Sequence, residues 1–368
     1  MGFNSPVSDE SENSHINITD QEGLAGILKK IESIDDFLAM KQEIGRLISG
    51  LEKTRKLVTG YAGDWPDDSG VFSDYILDTL EKARKSFTQE RCRYYIHRLL
   101  KTMTTRRIGK INDLDMNRWK DYTDIITDSL WVMDKRDRSG AHNAAYWGNF
   151  IPQIPQQLLK RYTKKNDWVL DTFAGSGTTL IECQRAGRNA IGIDLSPEAI
   201  QSARDNLSSE ISSNESKINL INADSTEISY RELLQKFGIE SVQLVIMHPP
   251  YWDIIRFSKD DRDLSNAGDL SSFLAGIRKI AEQSYSVLEK ERYLAMVIGD
   301  KYSRGEWIPL GFYAMSEVMK AGFRLKSTVV KNFDTTRGKK NQKELWRYRA
   351  LLGGFYVFKH EYIFLFQK

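Results

Sequence analysis

The sequence has little cysteine and no long apolar run. Two cysteines in 368 residues are too few for a disulfide framework or a cysteine-based zinc site, so we expect no metal and a reducing, cytoplasmic location. Neither His97 nor His142 has a partner at metal-ligand spacing. No apolar stretch is long enough to cross a bilayer, so no membrane partner is expected. These shortages argue against small disulfide-stabilised, zinc-dependent and membrane-spanning classes.

An excess of one charge is also missing. The formal net charge is only +3, with 53 basic and 50 acidic residues, so any site for a polyanion has to come from local clustering. Hydrophobic residues make up 40% and charged residues 28%, which is typical of a folded globular protein. The length exceeds one average domain.

The sequence pattern changes along the chain and predicts three regions. Residues 1–23 are polar and acidic, and we expect a disordered tail. Residues 24–134 repeat apolar residues at helical spacing, which predicts a helical region. In residues 135–368 short apolar runs alternate with helical stretches, which predicts an α/β domain with a doubly wound, mostly parallel sheet. The predicted strands lie in DWVLDTFAGSG, NAIGIDLSPEAI, INLINADS, SVQLVIMHPPYW, RYLAMVIGDKY, FRLKSTVVKN and HEYIFLFQK.

A glycine-rich turn, DTFAGSGTT in residues 171–179, follows the first of these strands. Gly175 and Gly177 allow the backbone to approach a ligand closely, and the helix that begins at about Thr178 directs its first amides toward the same crevice. No lysine follows the glycines and a third glycine is missing, so neither a P-loop nor the full dinucleotide fingerprint is present. A purely structural strand-to-helix turn is the alternative.

Two acids further along the chain favour a nucleotide-like ligand. Asp194 ends the next strand, close to the spacing of the acid that binds ribose hydroxyls in nucleotide-binding α/β folds. Asp224 follows the third strand, where a carboxylate could accept from an adenine amino group. Asp171 could face a positively charged group. A ligand with a ribose and an adenine but no phosphate clamp indicates S-adenosylmethionine.

Three motifs together resemble the DNA methyltransferases that modify N6 of adenine or N4 of cytosine. They are DTFAGSGTT, GIDLSPEAI and HPPYW. The family's glycine motif, F-x-G-S-G-T-T, is matched from Phe173 to Thr179. Its catalytic motif, D/S/N-P-P-Y/F, is matched from His248 to Tyr251 except at the first position. The resemblance extends over residues 142–368 and implies a class I methyltransferase fold, which is Rossmann-like.

The resemblance also implies a cofactor, partners and site residues. S-adenosylmethionine would be the cofactor, double-stranded DNA the substrate and a cognate restriction enzyme a further partner. The stretch FIPQIPQQLLKRYT resembles the family's helix over the methionine end of the cofactor. Few residues separate the cofactor and catalytic motifs, so target recognition is expected from the helical region or from the segment after Tyr251. The expected cofactor-binding residues are Pro155, Asp171, Phe173, Gly175, Ser176, Gly177, Thr178, Thr179, Asp194 and Asp224.

The expected catalytic residues are His248, Pro249, Pro250 and Tyr251. The lone pair of an exocyclic amine is delocalised into the ring, and acceptors aimed at its hydrogens favour the pyramidal form that attacks a methyl group. In the family motif the first side chain and a backbone carbonyl are these acceptors, the prolines fix the turn, and the tyrosine stacks on an extruded base. A neutral His248 can accept through one ring nitrogen and can take up the released proton. This predicts a loss of activity at mildly acidic pH.

Alternatives stay open at this turn. His248 can instead orient the loop while backbone carbonyls alone hold the amine, and Tyr251 and Trp252 can be plain core residues. Within the family, Ser-Pro-Pro-Tyr-Trp is associated with cytosine N4 and Asp-Pro-Pro-Tyr with adenine. This chain shares PPYW with the first form, so we favour cytosine N4 over adenine N6. An RNA base-amino methyltransferase and a catalytically inactive nucleic-acid-binding relative are the alternatives to a DNA methyltransferase.

Basic residues interleaved with aromatics predict where nucleic acid binds. They lie in residues 81–110 and 331–349. The alternative for each stretch is an ordinary solvated surface. The expected nucleic-acid-binding residues are Trp252, Arg337, Lys339, Lys340, Lys343, Arg347, Arg91, Arg93, Arg106 and Arg107.

Overall fold

A computed structural model of the chain describes residues 21–58, 74–120, 122–133, 135–142, 148–211, 214–333 and 343–368. These residues divide into two compact units. The helical unit contains the described residues up to Gly109 together with Leu114–Thr123. The sheet unit contains Lys110–Asp113 and the described residues from Asp124 onward.

The described part of the helical unit is built from four α-helices that share one apolar core. Leu28, Ile44 and Leu80 are fully buried in it, because apolar residues recur every three or four positions and form one stripe on each helix. Residues 21–23 are helical and not part of a tail, because the apolar stripe of the first helix begins at Leu24. The rest of the expected tail lies outside the described residues. The helices are α1 (Gln21–Glu32), α2 (Phe37–Val58), α3 (Asp74–Arg84) and α4 (Gln89–Thr104).

The sheet unit alternates strands and helices along the chain. Its described strands are β1 (Leu130–Trp131), β2 (Trp168–Asp171), β3 (Asn189–Asp194), β4 (Ile218–Asn222), β5 (Val242–Met247), β6 (Leu288–Ile298), β7 (Lys301–Ser303), β8 (Glu306–Ile308), β9 (Arg324–Asn332) and β10 (His360–Gln367). Its described helices are α5 (Gln153–Tyr162), α6 (Thr178–Ala186), α7 (Pro197–Ser209), α8 (Tyr230–Lys236), α9 (Leu270–Val287), α10 (Leu310–Lys320) and α11 (Lys343–Gly353).

Eight strands form one sheet in the order β1-β9-β10-β6-β5-β2-β3-β4, while β7 and β8 form a separate hairpin. Strand β10 is antiparallel to both of its neighbours, and the other pairings in the sheet are parallel. All seven predicted strands are present, so the predicted doubly wound, mostly parallel sheet is confirmed. This order is that of a class I methyltransferase fold with β1 added at one edge.

Helices cover both faces of the sheet. Alternate residues of a strand enter different core clusters: Leu170 packs with α8, α9 and α10, whereas its neighbour Val169 packs with α5 and α6. Both side chains are fully buried. Burial on two faces explains why β2, β3, β5 and β6 read as continuous apolar runs in the sequence.

The boundary of the sheet unit lies earlier than the residue 135 expected from the sequence. Leu130 and Trp131 pair in parallel with Val330 and Lys331 of β9, so residues 124–133, where described, belong with the sheet. A two-residue strand is too short to show a hydrophobic period in the sequence. Its partner strand is also distant in the chain, so no local pattern predicts the pairing.

The carboxyl ends of the parallel strands bring the predicted motifs to one edge of the sheet. The glycine turn follows β2, Asp194 ends β3, Asp224 follows β4 and the His248–Tyr251 turn follows β5. Strands β3 and β4 lie on one side of β2, and β5 and β6 lie on the other, so the strand order reverses beside β2. Ligands of open α/β sheets bind at such a switch point.

No helix in the part of the chain that the structure describes is both long and apolar enough to cross a membrane.

Candidate active site

A cavity of about 630 Å³ lies at this edge of the sheet. It is lined by residues from the glycine turn, from the loops after β3 and β4, and from the turn after β5. The loop after β6 and residues of β9, α11 and β10 complete its wall. The glycine turn and the His248–Tyr251 turn, which the sequence singled out, therefore line the same cavity.

The glycine turn is shaped by its own backbone. Gly177 precedes α6 with φ +88°, and a Cβ added there would lie 3.1 Å from the Cβ of Ala203. Ser176 is buried and its Oγ accepts from Nδ2 of Asn149 at 2.6 Å. Gly175, Thr178 and Thr179 line the cavity, whereas Ser176 and Gly177 do not. Ser176 and Gly177 form the part of the turn behind the cavity lining.

Asp171 lies at the base of the glycine turn and is almost completely buried. Its Oδ1 accepts from the backbone N–H of Phe173 at 3.0 Å. Burial, with a smaller contribution from the nearby carboxylate of Asp194, raises the pKa of Asp171 to about 6 against the hydrogen bonds that it accepts. A buried carboxylate with few compensating contacts is suited to a cationic ligand group.

Asp194 accepts two backbone hydrogen bonds, from Gly175 N–H to Oδ2 at 2.8 Å and from Ser196 N–H to Oδ1 at 2.9 Å. Burial nevertheless holds its pKa above the ordinary value. Ser196 also caps α7, as its side chain accepts from Ala199 N–H. One carboxylate thus fixes two loops of the cavity wall.

Asp224 closes a tight turn, since its Oδ1 accepts from both the N–H and the hydroxyl of Thr226, each at 2.8 Å. Both residues line the cavity, together with the apolar side chains of Leu264 and Ile280. The buried hydroxyl of Thr172 also lines it and has no hydrogen-bond partner among the described residues. The buried carboxylate of Asp171, the partly buried carboxylates of Asp194 and Asp224, an unsatisfied hydroxyl and apolar walls fit S-adenosylmethionine, which has a ribose, an adenine and a cationic end.

His248 begins the turn after β5 and is half-buried in the cavity wall. Its Nε2 lies 3.4 Å from the hydroxyl oxygen of Tyr251, and its ring centroid is 4.7 Å from that of Phe150. The Tyr251 hydroxyl donates to Oε2 of Glu361 at 2.8 Å, and Oε1 of Glu361 accepts from Lys331 Nζ at 3.0 Å. A continuous chain of polar contacts therefore leads from the turn to strands β9 and β10.

Burial, with a smaller contribution from Lys331 and against the opposing effect of Glu361, lowers the pKa of His248 to about 4. The imidazole is therefore neutral at mildly acidic pH, so protonation of His248 gives no reason to expect a loss of activity in that range. The low pKa also makes His248 a poor store for the released proton. Its role as an acceptor is compatible with this charge state.

Gly299 packs directly against Tyr251, since an added Cβ would lie 2.8 Å from Cε2 of the ring. Burial raises the pKa of Tyr251 well above its usual range, and Glu361 adds to this, so its hydroxyl keeps its proton. Tyr251 and both prolines line the cavity.

Two further predicted site residues, Pro155 and Trp252, lie away from the cavity lining. Pro155 is buried inside α5, and the preceding residues, including Asn149 and Phe150, line the cavity in its place. The indole N–H of Trp252 donates to the carbonyl of Ala267 at 2.9 Å, and Lys301 Nζ lies 3.9 Å from its ring centroid. Trp252 therefore secures the loop after the His248–Tyr251 turn, and its placement gives no support to a contact with nucleic acid.

The predicted basic residues of the sheet unit are only partly described. Arg337, Lys339 and Lys340 lie outside the described residues. Lys343 begins α11, and Arg347 is exposed on that helix.

The predicted basic residues of the helical unit differ in exposure. Arg91 is exposed, and its guanidinium stacks over the rings of Tyr94 and Tyr95. Arg93 donates to the carbonyl of Ile34 and pairs with Asp35, a structural role. Arg106 and Arg107 are exposed.

The far wall of the cavity contains residues that were not among the predicted cofactor-binding or catalytic residues. It includes Lys331 and Phe333 at the end of β9, Trp346 on α11, and Phe358, His360 and Glu361 around the start of β10. Lys331, Phe333 and Trp346 belong to the stretch 331–349 that was expected to bind nucleic acid, but no motif predicts that any of the six lines this cavity. The alternation of aromatic and charged residues in VFKHEY was the nearest available signal.

Comparisons with known proteins agree with the motifs. The sequence model of the DNA methylase family matches residues 80–205. A second family model, conserved hypothetical protein 95, matches residues 157–271. The first match starts well before residue 142, where the resemblance of the motifs began.

Curated relatives are type II methyltransferases. M2.DpnII of Streptococcus pneumoniae is 32% identical over 197 residues, which cover 52% of this chain and 61% of that protein. M.MjaII of Methanocaldococcus jannaschii is 30% identical over 178 residues, which cover 48% of this chain and 27% of that protein. These matches support one family, the S-adenosylmethionine-dependent DNA amino-methyltransferases. S-adenosylmethionine is the cofactor of this family.

The chain spans less than two thirds of the length of either of these relatives. Among solved structures, TrmN of Thermus thermophilus is similar at 17% identity and a TM-score of 0.37, over 60% of this chain and 50% of that one. The fold assignment rests on the strand order of the sheet itself.

Proposed function

We propose that the protein transfers a methyl group from S-adenosylmethionine to an exocyclic amino group of a base in duplex DNA. We favour N4 of cytosine over N6 of adenine as the target, within a specific sequence context. The observation that carries the proposal is that the glycine turn and the His248–Tyr251 turn line the same cavity. The similarity to type II DNA methyltransferases supports the DNA substrate, and the PPYW part of the turn supports cytosine.

The cofactor would bind between the loops after β2, β3 and β4. In this proposal Asp194 holds the ribose, Asp224 and Thr226 lie at the adenine, and Asp171 faces the cationic end. The buried hydroxyl of Thr172 would gain a partner there, since it has none among the described residues. When bound, S-adenosylmethionine supplies an electrophilic methyl group on its sulfonium.

The turn after β5 would prepare the amine. His248 is neutral at physiological pH, so one ring nitrogen has a lone pair for an amine hydrogen, and a backbone carbonyl of the turn can take the other. These acceptors favour the pyramidal amine as its nitrogen forms the new bond. The methylated nitrogen then loses one proton, which passes to water because His248 binds protons weakly.

A planar base would find aromatic and apolar walls in the same cavity. Tyr251 lines it, and Phe333, Trp346 and Phe358 line it from the side of β9, α11 and β10. Enzymes that modify a base within a duplex extrude it into such a pocket and stack it against aromatic side chains. The exposed cations Arg91, Arg106, Arg107 and Arg347 remain candidates for phosphate contacts. A cognate restriction enzyme remains an expected partner.

Incubation with tritiated S-adenosylmethionine and duplex DNA of varied sequence, followed by nucleoside analysis, tests the proposal. We expect label in DNA as N4-methylcytosine. Label only as N6-methyladenine would overturn the choice of base, and label in RNA but not in DNA would overturn the choice of substrate. Absence of label from every DNA tested, in a protein that binds the cofactor, would indicate an inactive relative. His248→Ala serves as the site control.

A further inference from the structure

Lys331 and Glu361 form a buried ion pair that the catalytic motif does not include. Their side chains are 7% and 12% exposed and meet at 3.0 Å between Nζ and Oε1. They face each other because Glu361 of β10 is the register partner of Lys331 in β9. A buried ion pair is costly in free energy compared with apolar residues. Its position beside the catalytic turn therefore indicates a function other than stabilising the fold.

The second carboxylate oxygen of Glu361 is directed to the turn. Oε2 accepts the hydroxyl proton of Tyr251 at 2.8 Å. A carboxylate has only acceptors, so Tyr251 must use its single proton in this bond. The Tyr251 oxygen then has only lone pairs to offer to His248.

This arrangement selects one form of the His248 ring. Nε2 lies 3.4 Å from the Tyr251 oxygen, a contact that is attractive only if Nε2 carries the proton. In a neutral imidazole the other nitrogen, Nδ1, is then the acceptor. The partner of one ring nitrogen commonly sets the tautomer in this way.

We propose that the Lys331–Glu361 pair positions the catalytic turn, acting through Tyr251 to hold His248 as the neutral Nε2–H tautomer with Nδ1 as the acceptor for the base amine. The role of Nδ1 rests on the proposed function, whereas the tautomer does not. Lys331 and Glu361 are positioning residues, since neither is required to touch the reacting atoms.

The pair also balances the charge around His248. Lys331 and Glu361 are the charged groups that act on the ring, and they act in opposite directions. Phe150 and Tyr251 also contact the ring and add no charge, since Phe150 is apolar and the Tyr251 hydroxyl keeps its proton. Removal of either charge should therefore shift the titration of His248 in a direction set by the charge that remains.

Nitrogen-15 NMR of histidine-labelled protein tests this without any substrate. The chain has five histidines, and His248→Gln identifies the resonance of interest by its loss. In the wild type we expect the two ring nitrogens of His248 to show the Nε2–H pattern at pH 7. An Nδ1–H pattern would overturn the proposal.

Substitutions then separate positioning from simple structural support. Lys331→Met leaves the Glu361 carboxylate uncompensated, and the titration midpoint of His248 should rise by about one pH unit. Glu361→Gln leaves Lys331, and the midpoint should fall. Tyr251→Phe keeps the ion pair but removes the link, so the Nε2–H preference should be lost. Lys326→Met, the same change at an exposed site on β9, should leave the resonance unchanged.

Midpoint shifts in the same direction for Lys331→Met and Glu361→Gln, or none in either, would overturn the proposal. Failure of the proposed function looks different: no methyl transfer to DNA would accompany intact tautomer and midpoint results. If DNA is methylated, the acidic limb of kcat should move with the His248 midpoint in each variant.

Discussion

The backbone N–H of Gly175 donates to Oδ2 of Asp194 at 2.8 Å, joining the loop after β2 to the end of β3. The other oxygen of Asp194 holds the N–H of Ser196 at the start of α7. The acid proposed to bind the ribose is therefore also the residue that fixes the shape of the glycine turn.

Because Asp194 has both roles, we expect its substitution by asparagine to weaken cofactor binding strongly. Asp194→Asn loses the charge and one acceptor, because an amide nitrogen cannot accept from Gly175 N–H. We expect the Kd for S-adenosylmethionine, measured by calorimetry, to rise at least about tenfold, the scale of one lost charge-assisted hydrogen bond. Asp205→Asn, the same substitution at an exposed position on α7, is the matched control. Unchanged affinity in Asp194→Asn would contradict the proposed ribose contact.

Cofactor affinity should depend on pH through Asp171. Burial raises its pKa to about 6, so the carboxylate is partly protonated below that pH and cannot attract a cation. Affinity for S-adenosylmethionine should therefore rise from pH 5 to about pH 7 and then level off. Calorimetry across this range checks it, and Asp171→Asn should bind more weakly and lose the pH dependence. A flat profile in the wild type would show that Asp171 does not face the charged end.

Asp171 should also make the stability of the ligand-free protein depend on pH, in the direction opposite to that of cofactor affinity. Because its pKa is raised on folding, Asp171 contributes stability to the ligand-free protein at low pH, and this contribution is lost as pH rises through about 6. Added S-adenosylmethionine should offset the loss above that pH. Unfolding curves with and without cofactor measure the difference. A cofactor-induced rise in Tm that is no larger at pH 7 than at pH 5 would argue against this coupling.

Gly177 should tolerate substitution worse than another left-handed glycine. Gly177→Ala combines φ +88° with a Cβ 3.1 Å from that of Ala203, whereas Gly238 has φ +69° and nothing within 4 Å. Gly238→Ala should cost about 1–2 kcal/mol for the left-handed backbone alone. Gly177→Ala should cost more and should also weaken cofactor binding. Chemical denaturation compares the two variants, and an equal cost would mean that the crowding at Ala203 relaxes freely.

Activity should persist at mildly acidic pH as far as His248 is concerned. With a pKa of about 4, the ring stays neutral at pH 5, so kcat measured at saturating cofactor should fall only closer to pH 4. His248→Ala should lower kcat by about 100-fold, the scale of one lost hydrogen bond to the transition state. His248→Asn, which restores an acceptor, should recover part of this loss. Full turnover in His248→Ala would leave the backbone carbonyls as the acceptors of the amine.

Local patterns were enough to predict much of the fold. The alternation of apolar runs and helical stretches predicted seven strands and a doubly wound sheet, because parallel strands buried on both faces have little choice of residue. Ser196 and Pro197 marked the start of α7, since capping is a property of adjacent residues. The motifs predicted the near wall of the cavity for the same reason: each lies at the end of a recognisable strand.

Tertiary structure decided the rest. The pairing of β9 with β10 brings Lys331 to Glu361, 30 residues away in the chain, and places both behind Tyr251. The tertiary structure also shows that Pro155 is buried within α5 and that the Trp252 indole N–H donates to the carbonyl of Ala267. The sequence by itself determined which residues could carry the chemistry, through strand ends, glycines and the Pro-Pro turn. Strand register and burial decided which of them face the cavity and lowered the pKa of His248, because both depend on neighbours that are distant in the chain.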